Sequence, residues 1–301
     1  MWLRYATAAS PPPNRASDPV KILQQIPPLR QQIRQWRQQN ERIALVATMG
    51  NLHQGHLALI AEAQQRADRV VATIFVNPLQ FAAGEDLSRY PRTPKEDYEA
   101  LRSAGCDLLF APEEAVIYPD GRSQPLTRVE VPALSDTLCG IHRPGHFNGV
   151  ATVVLKLLHL TTPDLALFGE KDFQQLQIIR RLCYDLNLET EIVAVATVRE
   201  ADGLALSSRN GYLTTKERAV APNLYRILGE MAQAVERESS GFRQIEVRAM
   251  GAATEAGFVP EYFALRRRGD LQPAERGEKD LIALAAVRLG TTRLIDNLQI
   301  G

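Results

Sequence analysis

Apolar residues in this chain fall into short unbroken runs separated by longer stretches in which single apolar positions recur every three or four residues. The runs are Ile43–Ala47, Val70–Val76, Leu108–Ala111, Leu165–Phe168 and Ile192–Val195. Runs of that length without polar alternation read as parallel strands buried on both faces. Between them lie helical patterns at 57–63, directly after His56, and at 94–105, 149–160 and 174–182. Ahead of the first run, 22–39 is polar with Leu29, Ile33 and Trp36 spaced along one face and Pro27-Pro28 at its start, which predicts a surface helix. Strand and helix in strict alternation predict an α/β fold, a doubly wound parallel sheet. In such sheets ligands sit beyond the carboxyl ends of the strands, where Thr48, Asn77 and Gly169 fall.

After Val195 the texture changes. A loop at 199–211 leads to a long helical pattern at 216–239 and another at 242–256. Strand-like runs follow at 262–265, 280–288 and 291–297. This predicts a smaller C-terminal α+β domain over 198–301, placed as a lid on a first domain at 21–197. Residues 1–20, with Pro11-Pro12-Pro13 and many small polar residues, are expected to be a disordered extension.

Charge and composition narrow the partners. Among 301 residues, Lys+Arg and Asp+Glu both number 35, so nothing draws the chain to nucleic acid or an anionic membrane, and a small-molecule site is the default. Cys106, Cys139 and Cys183 are odd in number and show no C-x-x-C spacing, which favours reduced thiols in a cytoplasmic protein. No apolar stretch approaches a membrane span.

The richest chemistry lies in Thr48-Met49-Gly50-Asn51-Leu52-His53-Gln54-Gly55-His56, between the first strand and a helix. A helix N-terminus offers unpaired amides and partial positive charge, and Gly50 and Gly55 let a phosphate come close. His53 and His56 then serve as donors to phosphate oxygens, as neutral rings or as cations. The alternative is that both histidines cap the turn. H-x-G-H arises in roughly one shuffled chain in 200, so its setting carries more weight than its letters.

Four further segments join it. Asn77-Pro78-Leu79-Gln80-Phe81 ends the second strand with an amide able to donate and accept. Arg143–Val150 is a turn before a helix, where His146 either assists a phosphate or caps, with capping favoured. Gly169-Glu170-Lys171-Asp172 sets a lysine ahead of a helix, and Asp172 or Glu170 either holds magnesium or favours the helix dipole. The 199–212 loop carries Ser207, Ser208 and Arg209, suited to closing over a triphosphate.

Taken in order, these segments resemble the pantothenate synthetase family, ATP-dependent ligases that join pantoate to β-alanine. The markers are Thr48-Met49-Gly50 with His53-x-Gly55-His56, then 75–81, Tyr90-Pro91-Arg92-Thr93, 143–147, 169–172 and 206–210, spread over nearly everything from Lys21 onward. The resemblance implies a Rossmann-like first domain and a two-step mechanism. Pantoate attacks the α-phosphorus of ATP to give pantoyl adenylate and pyrophosphate, and β-alanine then displaces AMP. It also implies an ATP site of Met49, Gly50, Asn51, Leu52, His53, Gln54, Gly55, His56, Gly169, Glu170, Lys171, Asp172, Val198, Leu206, Ser207, Ser208 and Arg209. His56 would be the proton donor, with His53, Lys171 and Arg209 beside it as the catalytic set. Gln80 and Gln175 would bind pantoate, with Gln80 also touching β-alanine. Mg²⁺ alongside ATP and a homodimer are implied in the same way. Two other readings remain: a nucleotidyltransferase that stops at an adenylated product, and an inactive ATP-binding module.

Overall fold

The computed structural model describes residues 19–82, 84–121, 127–237, 241–275 and 277–301. Six parallel strands form the main sheet: β1 (Lys21–Leu23), β2 (Ile43–Thr48), β3 (Arg69–Ile74), β4 (Leu108–Phe110), β5 (Leu165–Gly169) and β6 (Glu191–Val195). Their order across the sheet is β1-β4-β3-β2-β5-β6, with β2 in parallel register against β5 through Ala44↔Leu165 and Val46↔Leu167. The chain steps outward from β2 to β4 on one side, then returns to lay β5 and β6 on the other. That reversal opens a crevice above Thr48 and Gly169.

Both faces of the sheet are covered, which is why the strand runs are uniformly apolar. Ala44 and Val46 pack with Leu59, Ile60 and Ala63 of α2 (Gln54–Arg66) and with Leu101 of α3 (Pro94–Ser103). Ile43 and Leu45 point the other way. They share a core with Leu29, Ile33 and Trp36 of α1 (Ile26–Gln38) and with the apolar faces of α6 (His146–Thr161) and α7 (Phe173–Asp185). Two four-residue helices, α4 (Glu114–Ile117) and α5 (Cys139–His142), are too short to leave a periodic signal.

β1 departs from the reading of 22–39 as one helix: Lys21 to Leu23 pair with Leu108 to Phe110 at the sheet edge before Pro27 starts α1. Of the expected 1–20 extension, residues 1–18 lie outside the described residues, and Val20 is 4% exposed in the core under α2 and α3. The expected helix at 216–239 is divided into α8 (Thr215–Val220) and α9 (Asn223–Arg237), because Pro222 has no N–H to continue the ladder. Residues 238–239 of that expectation lie outside the described residues.

The C-terminal part is a three-stranded antiparallel sheet, β7 (Val259–Arg267), β8 (Leu281–Leu289) and β9 (Thr292–Ile300), in the order β7-β8-β9. α9 and α10 (Phe242–Glu255) cover one face over Leu281, Ala283, Ala285 and Val287. From the other face Ala264, Ile282 and Leu284 enter the core of the first domain. Among the described residues no helix is long and apolar enough to cross a membrane.

α6 lies so close to the 3₁₀ turn Pro78–Gln80 that a Cβ on Gly149 would sit 2.3 Å from the Leu79 carbonyl oxygen. Gly149→Ala is therefore expected to cost about 1–3 kcal/mol as an overpacked contact, read as a lower urea midpoint at unchanged m-value. A wild-type midpoint would show that the helix shifts without cost.

Candidate active site

Thr48 ends β2 with its hydroxyl donating to Thr73 O at 2.7 Å and accepting from Gly50 N at 3.2 Å. The chain then turns sharply: Gly50 has φ +83° and Asn51 φ 51°. What holds the turn is Asp97, 2% exposed, whose carboxylate accepts from Asn51 N at 3.0 Å, Leu52 N at 2.7 Å and the Thr93 hydroxyl at 3.2 Å. A Cβ on Gly50 would meet that carboxylate at 3.0 Å. The sequence reading missed Asp97. Its signal is that it shares the inward face of α3 with Leu101, four residues on, where a charge is out of place.

α2 begins at Gln54, three residues earlier than predicted, because the histidines cap it. His53 Nδ1 accepts from Gly55 N at 3.1 Å, and His56 Nδ1 accepts from His53 N at 3.3 Å, a reciprocal capping box made of imidazoles. Capping and a place in the site are therefore not alternatives. With Nδ1 accepting, each neutral ring carries its proton on Nε2. Burial, then the Lys171 charge, lowers the His53 pKa to about 4. Burial, then His53 and Lys171, lowers that of His56 to about 3. The rings lie 4.1 Å apart as neutral donors, not as a pair of cations.

Gln80 lines the same cavity and is held by several neighbours. Asn77, 1% exposed, donates to Gln80 Oε1 at 3.0 Å and to Gly149 O at 3.1 Å while accepting from Tyr118 OH at 2.9 Å. Gln80 Nε2 points at Met49 Sδ, 3.1 Å away. His146 does not cap α6. Its Nδ1 donates to Gln80 O at 2.7 Å and its Nε2 accepts from Arg143 at 2.9 Å. Burial and the Arg143 charge lower its pKa to about 3.

The 3₁₀ turn Glu170–Asp172 follows β5, and Lys171 Nζ donates to Asp172 Oδ2 at 3.0 Å. Burial raises the Asp172 carboxyl, but Lys171 brings it below its usual range. Asp172 makes no side-chain cap to α7, so the dipole reading gains no hydrogen bond. On α7, Gln174 is spent on Leu134 O, Thr137 O and Cys139 N, and Gln177 on Arg268 O, whereas Gln175 faces the cavity.

From the C-terminal domain, Ser207 caps its own turn by accepting from Arg209 N at 3.2 Å, and Ser208 donates to Asn51 O at 3.2 Å. Arg209 is held by two 3.0 Å bonds to Asp86, as Arg143 is held by Glu85 at 2.7 Å. Burial opposes ionisation of both carboxylates, but the arginines win and keep them charged. These two acids escaped the sequence reading.

Part of this framework lines one cavity of about 230 Å³. Met49, His53, Gly55, His56, Gln80 and Gly169 line it from the first domain, with Lys171, Asp172 and Gln175 beyond them. Val198, Leu206, Ser207, Ser208 and Arg209, from the segment after β6, complete it. Gly50, Asn51, Leu52, Gln54 and Glu170 are not on its wall, and Tyr90 is, although only its motif had been noted. Among the described residues no group of three or more His, Cys, Asp or Glu is arranged to hold a metal ion.

The family model described as pantoate-beta-alanine ligase matches residues 21–299. A pantothenate synthetase of Azotobacter vinelandii is 54% identical over 272 residues, 90% of this chain and 96% of that protein. The crystal structure of pantothenate synthetase from Thermus thermophilus superposes with a TM-score of 0.86 at 42% identity, covering 93% of this chain and 99% of that one. The pantoate-beta-alanine ligase of Francisella tularensis, complexed with β-γ ATP and β-alanine, gives 0.77 at 34% identity over 93% and 97% of the two chains. With the model spanning almost the whole described fold and these relatives matched nearly end to end, the chain belongs to the pantoate–β-alanine ligase family.

Proposed function

We propose that the cavity above β2 and β5 joins pantoate to β-alanine in two steps. A carboxylate oxygen of pantoate attacks the α-phosphorus of ATP as the bond to pyrophosphate breaks. The amine of β-alanine then attacks the acyl carbon, forming the C–N bond as the C–O bond to AMP breaks and the amine loses its proton. The observation that carries this reading is that one cavity brings neutral imidazoles, Lys171 and the 207–209 loop together with the amides of Gln80 and Gln175. A carboxylate approaching a polyphosphate meets like charge, so donors and cations fixed in advance are what this reaction needs.

In this reading the Nε2–H of His56, with His53 beside it, donates to oxygens of the α-phosphate as charge builds there. Lys171 and Arg209 balance the leaving pyrophosphate, with the Ser207 and Ser208 hydroxyls next to them. Gln80 and Gln175 hold pantoate with its carboxylate toward that phosphorus. The remaining ATP contacts implied by the resemblance fall to the backbone of 49–56 and 169–172 and to Val198 and Leu206. Magnesium is commonly held by substrate phosphates with one or two carboxylates, so in this reading it enters with the triphosphate as part of the substrate. A homodimer and a cytoplasmic setting belong to the same proposal and rest on the resemblance.

Pantothenate and AMP are expected only when pantoate, β-alanine and ATP are all present. AMP formed without pantoate, or no product from the full mixture, would overturn the reading. His56→Ala and Lys171→Ala are each expected to lower adenylation roughly 10²-fold, the scale of one lost positioned donor. Turnover at the wild-type rate would remove that residue from the mechanism.

The neutral histidines give a second test. Unfolded, His53, His56 and His146 take up protons near pH 6.5, but folded they do so only at about 4, 3 and 3. Stability is then complete above pH 6.5 and declines as pH falls from there toward 4, because the unfolded chain binds the protons first. A lower melting temperature at pH 5.5 than at 7.5 is expected. In the free protein, the imidazole NMR shifts of His53 and His56 should stay flat down to pH 5.5. A midpoint near 6.5 would show that the site does not hold the rings neutral against protonation and would overturn their description as buried neutral donors.

A further inference from the structure

Lys171 is placed by a residue that the sequence reading left as ordinary strand. Asn297 lies in β9, a strand of the C-terminal sheet, and is 5% exposed. Its Nδ2 donates to Glu170 O at 2.8 Å and to Lys171 O at 3.0 Å, gripping the 3₁₀ turn whose own cap makes no side-chain bond. Asn297 is itself held: its N–H donates to Asp296 Oδ1 at 2.8 Å, and Asp296, 4% exposed, binds both terminal nitrogens of Arg199 at 2.7 and 2.9 Å. That guanidinium stacks 3.6 Å from the centre of the Tyr225 ring and donates to Gly203 O at 3.1 Å, at the neck of the loop that carries Ser207 to Arg209. One buried dipeptide thus ties the Lys171 turn and the Arg209 loop to the same strand.

We propose that Asn297 is a positioning residue for the adenylation step, setting the height of Lys171 over the cavity from outside it. Asn297 is not among the residues lining the cavity, so it acts through the turn and not on the substrate. A lysine is a point charge on a flexible stem, and its reach depends on where its backbone is pinned. Misplacing a catalytic group by about an ångström costs up to ~10²-fold. The inference rests on the ATP-facing role given to Lys171 above.

The test is a double-mutant cycle read on the two half-reactions separately. Asn297→Ala is expected to lower kcat/KM for ATP in pantoate-dependent ATP–pyrophosphate exchange by roughly 10- to 100-fold, while β-alanine attack on preformed pantoyl adenylate keeps its wild-type rate. In a Lys171→Ala background the same substitution should add less than about 3-fold, because coupled residues are not additive. Asn297→Leu, close in volume and lacking both donors, should match Asn297→Ala and serves in its place if the smaller residue fails to fold. Full additivity with Lys171→Ala, or equal loss in both half-reactions, would assign Asn297 to stability alone and overturn the proposal. So would an unchanged exchange rate. If the wild-type chain forms no pantothenate, the functional reading has failed instead, and the two failures are told apart by that control.

Discussion

The arrangement of the site follows from one constraint on the sheet, the adjacency of β2 and β5. These strands are hydrogen-bonded neighbours, yet the chain leaves β2 toward one edge of the sheet and leaves β5 toward the other. The loops after them must diverge, and the space between is bounded by strand ends whose peptide groups have no further sheet to join. The 49–56 turn fills one side and the 169–172 turn the other. Because the strands are buried on both faces, their ends cannot move without disturbing two cores at once. The positions of Thr48 and Gly169 are thus set by packing well away from any chemistry.

Charge in the site is settled before a ligand arrives. Arg143 pairs with Glu85, Arg209 with Asp86 and Lys171 with Asp172, so each of these cations on the cavity wall already has a carboxylate partner. The histidines carry no charge because burial and the neighbouring Lys171 both oppose it. A polyphosphate entering here does not fall into an open cationic pit. It competes with carboxylates that already hold the arginines in a fork geometry, and the same pairs keep the guanidiniums from collapsing elsewhere in the interim. Preorganisation of this kind puts the electrostatic cost into folding and leaves little reorganisation for the reaction.

Much of this was legible in the chain, and the failures have physical reasons. The four interior strands showed because both their faces are buried and β6 because its apolar run is unbroken, whereas β1 is a three-residue edge strand with Ile22 half exposed and leaves no comparable run. His53, His56, Lys171 and Ser207 to Arg209 stood out because each sits where a strand or loop meets a helical turn, a junction that local sequence marks. His146 was read as a helix cap and is instead a buttress for Gln80, because its partners are set by how α6 lies against the Pro78–Gln80 turn. Asp97, Glu85, Asp86 and Asn297 share that origin. Each acts by gripping a segment distant in sequence, and such pairings are products of the tertiary fold, which no local pattern encodes.

The C-terminal sheet has two buried faces: one covered by α9 and α10, the other contributing Ala264, Ile282 and Leu284 to the core that also holds α6 and α7. β9, from this sheet, reaches the Glu170–Asp172 turn through Asn297 and Gln299. Swinging the whole domain away would expose that apolar face and strip the Lys171 turn of its hydrogen bonds together. In the proposed reaction, the motion that admits substrate would be cheapest in the segments that carry Asp86 and Arg209, where two charge-assisted bonds would be exchanged for bonds to phosphate.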